Sequence, residues 1–156
     1  MIFQHTLAQV LQQQKTQTRR IIHPHETAIR GKYNRIESVL SNDRVKWQVG
    51  KTYAVQPGRG KSQVARICIE KINSEQITRI STKDAIAEGF ESRHAFLETW
   101  QAIHGADAMN VRVWVLTFRV VGFYTDLQQF TYDYKEPVAY AAGRSHHSWQ
   151  GLPRTS

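Results

Sequence analysis

An amine, two hydroxyls and two guanidiniums fall within six residues, Lys15-Thr16-Gln17-Thr18-Arg19-Arg20. A lysine beside two arginines meets like charge, which disfavours its protonated form and lowers its pKa. An amine so perturbed can take a proton from a hydroxyl and turn it into a nucleophile, and Thr18 stands three residues from Lys15. In an extended strand, residues three apart point to opposite faces; at a helix end or tight turn they point the same way. The hexapeptide follows an amphipathic stretch, so a helix end is expected there and the amine is expected to meet the hydroxyl. Taken alone, the six residues read first as an ordinary solvated basic edge.

A second group stands out by its position. Ser81-Thr82-Lys83-Asp84 matches a helix capping box and Gly89 a helix-ending glycine, which predicts a short helix over 82–88. Glu88 then lies in the last turn, facing the negative end of the helix dipole, a place carboxylates usually avoid.

The elements that must position these groups follow from periodicity. Leu7, Val10 and Leu11 predict a helix over 5–14. Residues 23–46, with Pro24, Gly31 and scattered Arg, Asn and Lys, read as a long basic loop with a helical turn near 34–40. A turn at Gly50 feeds a strand through Tyr53 and Val55, and Val64 to Ile72 returns as its hairpin partner. Ser92 opens a second helix, ended by Gly105, in which Phe96, Trp100 and Ile103 form a core stripe. Val111 to Val121 is apolar on both faces, as in a strand inside a sheet or barrel. Beyond residue 122 the period fades, and Tyr132, Tyr134, Tyr140 and Trp149 lie among small polar residues. That stretch is expected to wrap the body or to end in disorder.

Composition narrows the function classes. The chain has 156 residues, enough for one core without disulfide or metal support. Residues 1–61 hold 11 Lys and Arg against 3 Asp and Glu, so the net charge of +8 lies entirely in that part. A one-sided basic surface points to a polyanion, nucleic acid before membrane, because no strongly apolar face accompanies it. No apolar run approaches the length needed to span a bilayer, and Met1 is not followed by a signal-type segment, so a cytoplasmic protein is expected. Cys68, the single cysteine, sits in the apolar run Ile67-Cys68-Ile69 and reads as a packed thiol. Gly60-Lys61-Ser62 imitates the end of a phosphate-binding loop, but Val55 occupies the position of its first glycine and Pro57 lacks a backbone donor. His23/His25 and His146/His147 lack the companions of a metal site, so no metal and no cofactor are expected.

Lys15-Thr16-Gln17-Thr18-Arg19-Arg20, Trp47 with Gly50-Lys51, Ile80-Ser81 with Asp84-Ala85, Glu88-Gly89-Phe90, and Phe96 with Trp100 together resemble the ASCH domain family, relatives of PUA RNA-binding domains. The likeness runs from about Leu11 to Arg119. It implies an α+β fold, a small PUA-like β-barrel with helices packed around it, over residues 1–123, with 124–156 as a C-terminal extension. It also implies a cleft for single-stranded RNA or a modified nucleoside. Some bacterial members remove the acetyl group from N4-acetylcytidine with a Lys, a Thr three residues later and a distant Glu, which fall here on Lys15, Thr18 and Glu88. Others are described as ribonucleases, and others only bind. Arg19 departs from the apolar residue common at that place in the amidohydrolases. On this reading Lys15, Thr18 and Glu88 are the candidate catalytic residues, with backbone amides of the 57–61 loop near the oxyanion. Arg19, Arg20, Lys51, Tyr53, Arg59 and Lys61 are the candidate nucleic-acid contacts.

Overall fold

The computed structural model describes residues 1–124 and the backbone of 130–131. It is built on one antiparallel sheet. Strands β1 (Gln17–Ile21), β2 (Glu26–Arg30), β3 (Ile36–Ser41), β4 (Arg44–Gln48), β5 (Thr52–Val55), β6 (Ala65–Gln76), β7 (Arg112–Tyr124) and β8 (Phe130–Thr131) follow one another along the chain. The path across the sheet is β1-β7-β6-β3-β2, with β4 on β3, β5 on β6 and β8 on β7. Three short helices complete it: α1 (Leu7–Leu11), α2 (Thr82–Ala87) and α3 (Arg93–His104).

The long strands β6 and β7 form the spine: β7 buries apolar residues on both faces, whereas β6 buries Ala65, Ile67, Ile69 and Ile72 and leaves charged residues between them outside. In β7, Val113 and Val115 join Ile77, Ala85, Phe96 and Trp100 beneath α2 and α3. Trp114 and Leu116 point the other way, into a core with Val39, Trp47, Ile69 and Ile72. Further along, Phe118 packs with Phe3, Val10, Val55 and Ile67 under α1. Register shifts at Arg66/Ile67 and Ile69/Lys71 bend β6 against β7. The bend lets β6 take β5 along its first half and meet β3 at Ile72, the curvature of a barrel-type sheet.

Several expectations hold. The hairpin of β5 and β6 is present, Ser81 and Ser92 accept the capping amides of Asp84 and Ala95, and Gly89 and Gly105 leave their helices with positive φ.

Others need correction. The helix expected over 5–14 is only α1, because Gln13 takes φ 59° and turns the chain back at once. The expected basic loop over 23–46 is instead three strands. Its inward residues are few (Ile36, Ser38 and Val39 in β3, Trp47 in β4), and charged outward residues hide their alternation. The turn between β3 and β4 is Asn42-Asp43, both with positive φ, the conformation of a two-residue hairpin, and it was missed for want of a glycine. Ile103 is exposed rather than core, and Cys68 is only partly buried. The aromatic residues of the C-terminal extension, and His146 and His147, lie outside the described residues. No described helix is long and apolar enough to cross a membrane.

Candidate active site and nucleic-acid cleft

The site begins with the turn that ends α1. The backbone amides of Gln14 and Lys15 both donate to Gln9 O, at 2.9 and 3.0 Å, and Thr16 N then donates to Ala87 O at 2.8 Å. These bonds tie the entry to β1 onto the end of α2 and bring Lys15 against Glu88, 73 residues away. Gly89 makes the approach possible. Its φ of +91° is strained for any side chain, and a Cβ there would stand 3.1 Å from Gln9 Cβ and 3.6 Å from Lys15 Cβ.

Lys15, Thr18 and Glu88 are all buried. The Lys15 ammonium donates to the Glu88 carboxylate and, at 2.7 Å, to the Glu88 backbone carbonyl. That carbonyl is one of those a helix C-terminus leaves unpaired, so the position that looked awkward for Glu88 is filled by a lysine that answers both its oxygens. Burial is the main reason that the Lys15 pKa falls below its ordinary value; the Glu88 charge and hydrogen bond raise it, and Arg20 and Arg19 lower it further. The expected direction holds, with desolvation rather than the arginines as the leading cause. Lys15 and Thr18 line one cavity as foreseen, through a turn followed by a strand rather than a helix end. The Thr18 hydroxyl has no hydrogen-bond partner among the described residues.

Arg19 departs from expectation. Residues i and i+2 of a strand share a face, so Arg19 lies beside Gln17 on the face that carries α2 and α3. Its guanidinium donates to Glu75 at 2.8 Å, Glu88 at 3.2 Å and Gln17 at 3.2 Å, and Asp84 lies 3.9 Å away. With its side chain 1% exposed, it anchors carboxylates instead of offering a free phosphate contact. Asp84 is held below its ordinary pKa: burial alone would raise it, and hydrogen bonds from Ser81 and Gln17 with the Arg19 charge outweigh that. Arg20 faces the other way. One amino group donates to Ile2 O at 2.8 Å and the guanidinium lies 5.7 Å from the Phe3 ring, while its buried Nε has no partner among the described residues.

The Lys15–Thr18–Glu88 cavity has a volume of about 130 Å³ and lies between segment 2–6, β1 and α3. Phe3, Phe90, Phe96 and Trp100 supply flat apolar walls, and Ile103 and His104 stand at its mouth. It adjoins a groove of about 760 Å³ that shares Arg19, Arg20, Trp100 and His104 with it and adds Lys46, Trp47 and Arg59. The other expected contacts separate. Lys51 and Lys61 are exposed and line neither space. Tyr53 is packed against the core, with its hydroxyl accepting from Gln48 N at 2.8 Å. Of the 57–61 loop only Arg59 reaches the groove, so its amides do not border the small cavity.

Sequence reasoning missed Phe3, Glu75, Lys46 and His104. Pairing across β1, β6 and β7 brings Glu75 to Arg19 from 56 positions away, and no local signal announces it. His104, in the last turn of α3, packs its ring at a tilt of 42° against Trp100, with centroids 4.2 Å apart, and its imidazole pKa is lowered by burial and by Arg20. Among the described residues no His, Cys, Asp or Glu cluster could hold a metal.

No family model matches the sequence, and no curated protein matches it either. Solved structures do. An ASCH domain from Lactobacillus crispatus JV V101 superposes with a TM-score of 0.50 at 17% identity, covering 72% of this chain and 68% of that one. A protein from Enterococcus faecalis V583 assigned to the family DUF984 does so with a TM-score of 0.50 at 15% identity, covering 76% of this chain and 71% of that one. The fold is therefore ASCH-like, an α+β arrangement around a PUA-like, barrel-type sheet.

Proposed function

We propose that the chain binds single-stranded RNA, or a modified nucleoside from it, and hydrolyses an exocyclic amide of the N4-acetylcytidine type in the Lys15–Thr18–Glu88 cavity. One observation carries this reading: a buried lysine with a lowered pKa and a threonine hydroxyl with no partner among the described residues border the same aromatic-walled cavity. In the first step Thr18 Oγ1 attacks the acetyl carbonyl and its proton passes to the Lys15 amine. The C–N bond then breaks as the Lys15 ammonium returns that proton to the leaving amine, which leaves an acetyl ester on Thr18. Water, deprotonated by the same amine, then attacks the ester carbonyl; the C–O bond to Thr18 breaks as the Lys15 ammonium returns the proton to Thr18 Oγ1, and acetate leaves. Glu88 holds Lys15 in place through both steps and shares its charge with Arg19.

A second reading has its own support. The Lys15 ammonium is already closed in an ion pair with Glu88, the arrangement of a rigid binding site without turnover. Incubating the protein with an N4-acetylcytidine oligoribonucleotide, with and without a chelator, separates the readings. Chelator-insensitive acetate release supports hydrolysis. Cleaved strands indicate a ribonuclease, and a mobility shift with neither product indicates a binding module.

A further inference from the structure

The groove beside the cavity differs from it in charge. The lining of the cavity sets Glu88 among Lys15, Arg19 and Arg20, whereas that of the groove has Arg19, Arg20, Lys46 and Arg59 and, among the described residues, no carboxylate. Trp47 and Trp100 add two indole faces. Lys46 is partly neutralised by Glu26, and its ammonium lies 4.4 Å from the Trp47 ring centroid; Arg59 is exposed and has no ion pair among the described residues. Arg20 borders both spaces, and its buried Nε–H lacks an acceptor among the described residues. An unsatisfied buried donor on a cation is costly, and an anionic oxygen is the acceptor that best relieves it.

We propose that this groove is a phosphate subsite, with Arg20 at the junction and Arg59 further out. The ligand is then a phosphorylated cytidine, either a mononucleotide or a residue within an RNA strand, and not the free nucleoside. The inference rests on the proposed nucleoside reading and names its substrate class. The geometry assigns neighbouring arginines opposite tasks. Arg19, on the helix-bearing face of β1, holds Glu75 and Glu88; Arg20, one residue on, keeps donor capacity for a ligand.

The test is calorimetric titration of the whole chain with cytidine, cytidine 5′-monophosphate and a short cytidine oligoribonucleotide, for wild type, Arg20→Lys and Arg59→Ala. Arg59 is exposed, so its replacement leaves the fold intact, and Arg20→Lys keeps the charge while removing Nε. The nucleotide is expected to bind at least about tenfold more tightly than the nucleoside to wild type. Both variants are expected to shrink that ratio, and Arg59→Ala, which lies outside the cavity, to do so without changing the affinity for cytidine. An oligonucleotide that binds more tightly than the mononucleotide assigns the subsite to an RNA backbone, and equal affinities assign it to a free nucleotide. Equal binding of nucleoside and nucleotide by wild type overturns the subsite and leaves the amide-hydrolysis reading standing. A nucleotide preference without acetate release sinks hydrolysis and leaves the subsite standing. Absence of binding by all three ligands overturns both.

Discussion

Two carboxylates are buried among the described residues, and both hold a lysine. Glu26, at the start of β2, accepts from Lys46, from Trp114 Nε1 at 2.9 Å and from His23 N at 3.2 Å, and its side chain is fully buried. Glu88 accepts from Lys15 and Arg19 and is almost as deeply buried. Ion pairing and burial therefore do not tell the two apart. What differs is the neighbourhood. Glu26 borders neither the cavity nor the groove, and its lysine partner is 35% exposed, so that pair fastens a surface strand to the core. Around Glu88 the lysine itself is buried, a hydroxyl without a partner lies alongside, and the cavity opens to a cationic groove. A buried ion pair is weak evidence for function by itself; unused donor capacity facing a cavity is the more telling sign.

The largest difference expected between the two centres is energetic. Replacing Glu88 by Ala leaves Lys15 and Arg19 with a missing counter-charge in a dry place, which should cost roughly 3–5 kcal/mol. Replacing Glu26 by Gln keeps acceptors for Trp114 and the His23 amide, and Lys46 can turn to solvent, so about 1–2 kcal/mol is expected. Denaturant melts of both variants measure this. If the Glu88 cluster is coupled as described, adding Lys15→Met to Glu88→Ala should recover part of the loss, whereas strict additivity would show that the two do not interact.

Stability rises with pH through both regions, in different pH windows. Glu26 has a lowered pKa because hydrogen bonds from Lys46, Trp114 and the His23 amide outweigh the upward push of burial. Its contribution, like that of Asp84, is complete above the ordinary carboxylate values of 4.5 and 3.8 and is lost as pH falls through the depressed folded values. Lys15 is a base whose folded pKa is lowered, so between that value and 10.5 the unfolded chain binds more protons and stability rises with pH. Glu26→Gln should flatten the acid limb of a stability profile, and Lys15→Met should flatten the alkaline rise. Turnover should climb as pH rises through the lowered folded value of Lys15, where the amine becomes free, and level off above it; a profile with no such ascending limb would contradict Lys15 as the base.

A smaller effect is expected at Gly89. Its positive φ and its contact with Gln9 make Gly89→Ala cost about 1–2 kcal/mol and shift Lys15, so turnover should fall by more than thermal stability alone explains. Unchanged kinetics would mean that the position of Lys15 is not critical.

What could be read from the chain beforehand follows the range of the interactions. Capped helices and β7 were legible because Ser81, Ser92, Gly89, Gly105 and an unbroken apolar run act locally. Strands β2, β3 and β4 were not, since each shows only a few inward residues and the Asn42-Asp43 turn lacks glycine. Lys15, Thr18 and Glu88 were identified by resemblance to a family motif, and the fold brings them together. Their burial, which makes them part of the packed interior rather than a surface edge, depends on contacts across 73 residues that spacing along the chain does not show. The different fates of Arg19 and Arg20 depend on the register of β1 against β7, where Arg19 lies opposite Val115 and Arg20 opposite Trp114.

The comparison of the two carboxylate centres is tested most directly by acetate release from an N4-acetylcytidine oligoribonucleotide, measured for wild type, Thr18→Val and Glu26→Gln at a temperature where all three are folded. Wild type and Glu26→Gln should release acetate at similar rates, and Thr18→Val should be slower by orders of magnitude. Equal rates in all three, or no release by wild type, would contradict the assignment of chemistry to the Glu88 centre.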